Sequence, residues 1–173
     1  MLLRAPGSSS DISQFETLRL YCPVTHTNRD TLSDEIIKTA DGRELFFPKD
    51  LIVFICNAAV QINPEYWGTD FLSFRPSRWI GPDEDLKAPP AKGSFLPWGG
   101  GPRLCPGQKM AQVEFVAVFS TIVKDYRIEL VREIGEDMKQ ANARLAKTIA
   151  DSQPKLTLGM NKPQDIVLKF VKR

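Results

Sequence analysis

Apolar residues at helical spacing first appear at Ile12, Phe15, Leu18 and Tyr21, behind Asp11 as a suitable N-cap and ahead of Pro23, which ends the run. The pattern predicts a helix over 11–21. Residues 25–40 are polar and irregular. Asp41-Gly42 marks a turn, and the β-rich runs 43–47 and 51–55, joined by Pro48-Lys49-Asp50, are expected to pair as a hairpin. From 63 to 107 the chain is dense in proline, glycine and aromatic residues and holds no sustained period. So long an irregular stretch is functional or disordered, and the tryptophans at 67, 79 and 98 argue against disorder. Tyr66 and Trp67 read as its core anchors.

At Gln108 the character changes. Ala111, Phe115, Val118, Phe119 and Ile122 form one stripe, and Val113, Val116 and Ala117 fill much of the rest, which predicts a helix over 108–124 buried on most sides. Residues 127–131 alternate like a strand, and 134–149 carry a weaker helical stripe through Met138, Ala141, Leu145 and Ile149. The runs 155–158 and 165–171 are expected to close the chain as a hairpin across Met160-Asn161-Lys162-Pro163. The fold class is mainly α with small antiparallel β hairpins, an α+β arrangement.

Composition bounds the function. The chain has 173 residues, 42% of them hydrophobic, enough for one ordinary domain. Lysine and arginine number 23 against 21 acids, for a net charge of +2 without long blocks of one sign, so neither a nucleic-acid surface nor an anionic-membrane surface is indicated. The longest apolar run, 51–60, is interrupted by Asn57 and is about half as long as a spanning helix requires, so no membrane span is expected. Met1-Leu2-Leu3-Arg4 and the Ala-Pro-Gly-Ser run after it lack the apolar centre of a secretory signal.

Cys22, Cys56 and Cys105 are odd in number and too far apart for a zinc knuckle or a C-x-x-C pair, and one histidine, His26, cannot build a multi-histidine site. Any metal chemistry must rest on one protein ligand, and haem held by a single cysteine thiolate is the leading case. Cys22 and Cys56 read as structural cysteines, and His26 as a loop or strand-end residue satisfied by hydrogen bonds.

The segment 95–107, FLPWGGGPRLCPG, sets Cys105 in a glycine- and proline-rich loop directly ahead of the apolar helix. A thiol with an ordinary pKa of roughly 8.5 is deprotonated more readily beside a helix N-terminus or a metal cation. Pro106 and Gly107 suit the loop-to-helix junction, while the glycines at 99, 100, 101 and 107 let backbone approach a flat ligand. Arg103 is placed to pair with an anionic group on the rim of that ligand, and Trp98 offers a flat apolar face with one N–H donor.

At Trp98, Gly101, Arg103, Cys105 and Gly107 the sequence resembles the cytochrome P-450 family, the haem-thiolate monooxygenases, whose signature is aromatic-x-x-Gly-x-Arg-x-Cys-x-Gly. Trp98 departs from the usual phenylalanine. Glu16-Thr17-Leu18-Arg19 is similar to the family's Glu-x-x-Arg helix, and Phe74-Arg75-Pro76-Ser77-Arg78-Trp79 to its aromatic-x-Pro-x-Arg-aromatic segment. The resemblance implies a buried charge network of Glu16, Arg19 and Arg78, haem b ligated by Cys105, and propionate contacts from Arg103 and Arg29. Cys22, Asp50 and Gln61 stand where proline, glycine and histidine are usual, departures that suggest a eukaryotic, fungal type.

The resemblance runs from about Asp11 to the end and implies the C-terminal part of the cytochrome P-450 fold, an incomplete single domain over 1–173. The long helix whose acid and threonine deliver protons is not among these residues, so the chain by itself is expected to be inactive. For the parent enzyme the resemblance implies insertion of one atom of O2 into an apolar small-molecule substrate, an NADPH-dependent reductase as electron donor, and residence at the endoplasmic reticulum membrane. Two other readings stay open: a truncated, inactive remnant without haem chemistry, and a haem-binding module without oxygen chemistry.

Overall fold

The computed structural model describes residues 9–83, 85–155 and 157–173. The N-terminal residues read for a secretory signal lie outside them. Helix α1 (Ser9–Leu20) begins ahead of the predicted start, so Asp11 sits in its first turn rather than at its N-cap. An acid there still complements the helix dipole. The inward face of α1 is mixed: Ile12 is buried, and so are Gln14, Glu16 and Arg19.

The strands after α1 pair differently from the expectation. Strand β1 (Thr27–Asp30) runs antiparallel to β4 (Ile52–Ile55), and β2 (Glu35–Lys38) to β3 (Glu44–Phe47). The predicted hairpin of 43–47 with 51–55 does not form. The turn at Gly42, with φ +83°, folds β3 back onto β2 instead. The N–H groups of Thr31 and Asp50 then donate to Leu51 and Thr31 carbonyls at 3.0 and 2.9 Å, holding 50–51 beside β1. The β2–β3 hairpin is thus nested inside the β1–β4 pair. Strand β1 reads Thr-Asn-Arg-Asp, polar throughout, and gave no hydrophobic alternation to announce it.

Two single-turn helices, α2 (Asn57–Gln61) and α3 (Pro64–Trp67), follow, then 3-10 turns at Pro76–Trp79 and Gly101–Arg103. Asn63 caps α3 by accepting from the Glu65 N–H at 3.0 Å. Helix α4 (Gln108–Asp125) covers the predicted span but contains no buried residue, and Met110, Val113, Val118 and Phe119 are exposed. This corrects the expectation of a helix buried on most sides. It packs against α1, where Gln14 Nε2 donates to the Ala111 carbonyl at 3.2 Å, and nothing among the described residues covers its remaining apolar faces.

Strand β5 (Tyr126–Leu130) continues directly from α4 and pairs with β8 (Leu168–Lys172), while β6 (Ser152–Pro154) pairs with β7 (Leu158–Met160). The expected hairpin of 155–158 with 165–171 is therefore corrected. Tyr126 meets Phe170 edge-on at 6.3 Å across the β5–β8 pair. The Lys155 N–H donates to the Thr157 carbonyl at 3.1 Å, and the Leu158 N–H reaches the Pro23 carbonyl at 2.7 Å. Helix α5 (Met138–Ala150) starts later than predicted because Asp137 and Gln140 form a reciprocal capping box.

The apolar core is aromatic and lies beneath α1. Ile12, Trp67 and Trp79 are buried there, with Phe15, Phe71, Leu86 and Phe95 packed against them. Polar groups share this interior: Arg19, Gln61, Glu16 and Asn57 are among the largest fully buried side chains.

Candidate active site

The loop carrying Cys105 is held by its own backbone. The Cys105 N–H donates to the Trp98 carbonyl at 2.9 Å, Gly99 N–H to Leu96 at 3.1 Å, and Leu104 N–H to Gly101 at 3.1 Å. Gly99 and Gly101 have φ of +77° and +70°, which L-residues adopt only under strain. Gly107 differs: its φ is −82°, and a Cβ there would meet Cys105 Sγ at an ordinary 3.8 Å. Cys105 is exposed just ahead of α4.

A cleft of about 670 Å³ opens beside this loop. Trp98, Arg103 and Cys105 line it from the loop, Thr27, Arg29 and Asp30 from β1, and Asn57 from α2. Four of the six residues predicted for the cofactor, Arg29, Trp98, Arg103 and Cys105, thus border one space, whereas Gly101 and Gly107 do not line it. Arg29 Nη2 also lies 3.4 Å from the Gly100 carbonyl. Trp98 additionally meets Phe15 edge-on at 5.9 Å, so its ring belongs to both the cleft and the core.

His26 is exposed, with Nδ1 3.2 Å from Thr25 Oγ1. Among the described residues no group of three or more His, Cys, Asp or Glu side chains could hold a metal ion. Cys22 is buried, and burial pushes its thiol up from the ordinary value.

Asn57 also borders the cleft and was not among the candidate site residues. Its Nδ2 donates to the Val24 carbonyl at 3.1 Å, and its buried Oδ1 has no hydrogen-bond partner in the structure. A polar residue interrupting the apolar run 51–60 was the available signal.

Beneath the cleft, α1 is fastened by a carboxylate with five donors. Arg19 grips Glu16 with two bonds of 2.9 Å, Nε to Oε2 and Nη2 to Oε1. Arg78 Nε, Trp79 Nε1 and the Arg75 backbone N–H each donate to Glu16 at 2.9 Å. Sequence reasoning named Glu16, Arg19 and Arg78 but missed the other two donors. Arg19 Nη1 goes on to the carbonyls of Phe71 and Gln61, at 2.6 and 3.2 Å, tying α1 to the irregular segment. Burial, the largest single influence, pushes the Glu16 carboxyl up, but the bonds from Arg19, Arg75, Arg78 and Trp79 outweigh it and hold the group below its ordinary value.

The cytochrome P-450 family model matches residues 15–156, and the chain belongs to that family. Haem is the cofactor the family implies. A phomenoic acid biosynthesis cluster cytochrome P-450 monooxygenase of Leptosphaeria maculans is 32% identical over 156 residues, covering 80% of this chain and 26% of the relative. Cytochrome P-450 52E2 of Candida apicola is 36% identical over 122 residues, covering 67% of this chain and 23% of the relative. Cytochrome P-450 monooxygenase 91 of Postia placenta is 33% identical over 128 residues, 66% of this chain and 24% of the relative. The chain spans about a quarter of the length of these curated relatives. Among the described residues no helix is long and apolar enough to cross a membrane.

Proposed function

We propose that these residues form the haem-thiolate portion of a monooxygenase acting on an apolar organic substrate, with the Cys105 thiolate as the only protein ligand to iron. The observation that supports this reading is the convergence of Cys105, Arg29, Arg103 and Trp98 on one cleft. The donor set suits the group: one sulfur for the metal, two guanidinium cations for a pair of carboxylates, and an aromatic ring for an apolar macrocycle. When bound, haem b supplies the activation of O2 that puts one oxygen atom into the substrate and releases the other as water.

The chain's own contributions are binding and orientation. Cys105, exposed just ahead of α4, would hold the iron through its sulfur. Arg29 and Arg103, on two separate elements, β1 and the loop, would pair with the group's carboxylates. Trp98 keeps water from one edge. Electrons come from an NADPH-dependent reductase.

Titration with haem and with its dimethyl ester, which has no free carboxylates, tests the reading. Arg29→Ala and Arg103→Ala each raise the Kd for haem by about tenfold or more, the loss of one charge-assisted bond, and change binding of the ester far less. Equal affinity of the variants and the parent chain for haem contradicts the reading.

A further inference from the structure

Gln61 closes α2 and is fully buried. An amide placed there must be paired at both ends. Its Nε2 donates to the carbonyls of Leu18 and Arg19, at 2.9 and 3.3 Å, in the last turn of α1. A helix leaves its final carbonyls without internal donors, so this is a place where a side chain is needed. Its Oε1 accepts from the Leu96 N–H at 2.8 Å.

Leu96 is the point at which the chain enters the Cys105 loop. Its carbonyl takes the Gly99 N–H at 3.1 Å, and two residues further on the Trp98 carbonyl takes the Cys105 N–H at 2.9 Å. Gln61 is thereby bonded to the root of the same backbone arm that Cys105 closes upon. The side-chain bond from Arg29 to the Gly100 carbonyl, also from another element to this loop's backbone, is longer, at 3.4 Å. The inner end of the latch is firm as well, because Arg19 Nη1 donates to the Gln61 carbonyl and Arg19 is itself gripped by Glu16.

We propose that Gln61 is a positioning residue for Cys105: its side-chain amide bolts the entrance of the thiolate loop to the C-terminal turn of α1 and sets where the sulfur stands. This deepens the haem-thiolate reading and rests on it. The function needs a donor and an acceptor on opposite ends of one short side chain. Leucine supplies neither, and asparagine is one methylene too short to reach both partners. Neutral histidine has one N–H and one bare ring nitrogen and can serve both.

The test is amide hydrogen exchange resolved to single residues on the full chain, with haem titration alongside. In Gln61→Leu and Gln61→Asn the Leu96 and Cys105 amides exchange about tenfold faster, the order of one lost hydrogen bond, and haem Kd rises by a similar factor. The Arg75 amide, which reports the Glu16 network, keeps its protection, and Gln61→His restores Leu96, Cys105 and haem affinity. Should the leucine variant not fold, the asparagine variant carries the same expectations. Unchanged exchange at Leu96, faster exchange at Leu96 with Cys105 unaffected, equal acceleration at Arg75, or no rescue by histidine each overturns the proposal. If the parent chain bound haem no better than Cys105→Ser, the haem reading would fall, and exchange at Leu96 and Cys105 would still decide the latch.

Discussion

Arg78 Nε donates to Glu16 Oε1 at 2.9 Å, joining residues 62 positions apart in the chain. The Arg78 side chain is 6% exposed and that of Glu16 0%, so water replaces neither partner. Removing Arg78 leaves Glu16 its bonds from Arg19, Arg75 and Trp79, so the cost is that of one lost charge-assisted bond, about 1.5–3 kcal/mol. Arg78→Ala is therefore expected to lower unfolding free energy by that amount in urea titrations. Arg43→Ala, which breaks the exposed pair with Asp41, leaves it unchanged within error.

Acid titration reads the same network through its carboxylate. The Glu16 carboxyl is held below 4.5, so its contribution to stability is complete above that value and is lost as pH falls through its lowered folded-state value. The hydrogen bonds of Arg144 hold Glu136 down to about 2, so it too loses its contribution as pH falls from about 4.5. Glu16→Gln should flatten part of the fall in stability below pH 4.5, as read by unfolding midpoints against pH. An unchanged slope in Glu16→Gln contradicts the assignment.

Asp50 is the one non-glycine described residue with positive φ, at +62°. An L-residue pays about 1 kcal/mol or more for that conformation, less for Asp than for most, and glycine avoids it at some gain in unfolded-state entropy. Asp50→Gly is expected to stabilise by up to about 1 kcal/mol, with a matching rise in thermal midpoint. A loss of stability would show that the Asp50 backbone is not strained.

What the sequence made legible was whatever a local pattern encodes. Helix α4 was found to within a residue because its apolar stripe is long, and the Cys105 loop because its glycines, proline and cysteine fall at fixed spacing. Strand pairing was not legible. Residues 43–47 and 51–55 do form strands, but their partners are set by the Gly42 turn and by Thr31 backbone bonds that leave no apolar signature. The burial of α4 was overestimated because composition records how apolar a helix is and not what lies against it. The roles of Asn57 and Gln61 were not legible for a related reason: an isolated amide becomes informative only when its partners, Val24, Leu18 and Leu96, are known in space.

The chain by itself is expected to form no product. Apolar residues of α4 such as Met110 and Val113 stand exposed. Incubation with haem, NADPH, a reductase and a panel of apolar substrates should give no substrate-dependent product above free haem. Coupled turnover above that background would contradict the expectation.

The most direct measurement is the ferrous carbon monoxide difference spectrum of the haem-reconstituted chain, taken with and without Cys105→Ser. The parent chain is expected to give the red-shifted band of thiolate-ligated haem and the serine variant to lose it. A red-shifted band that survives in Cys105→Ser, or its absence from the parent chain, contradicts ligation by Cys105.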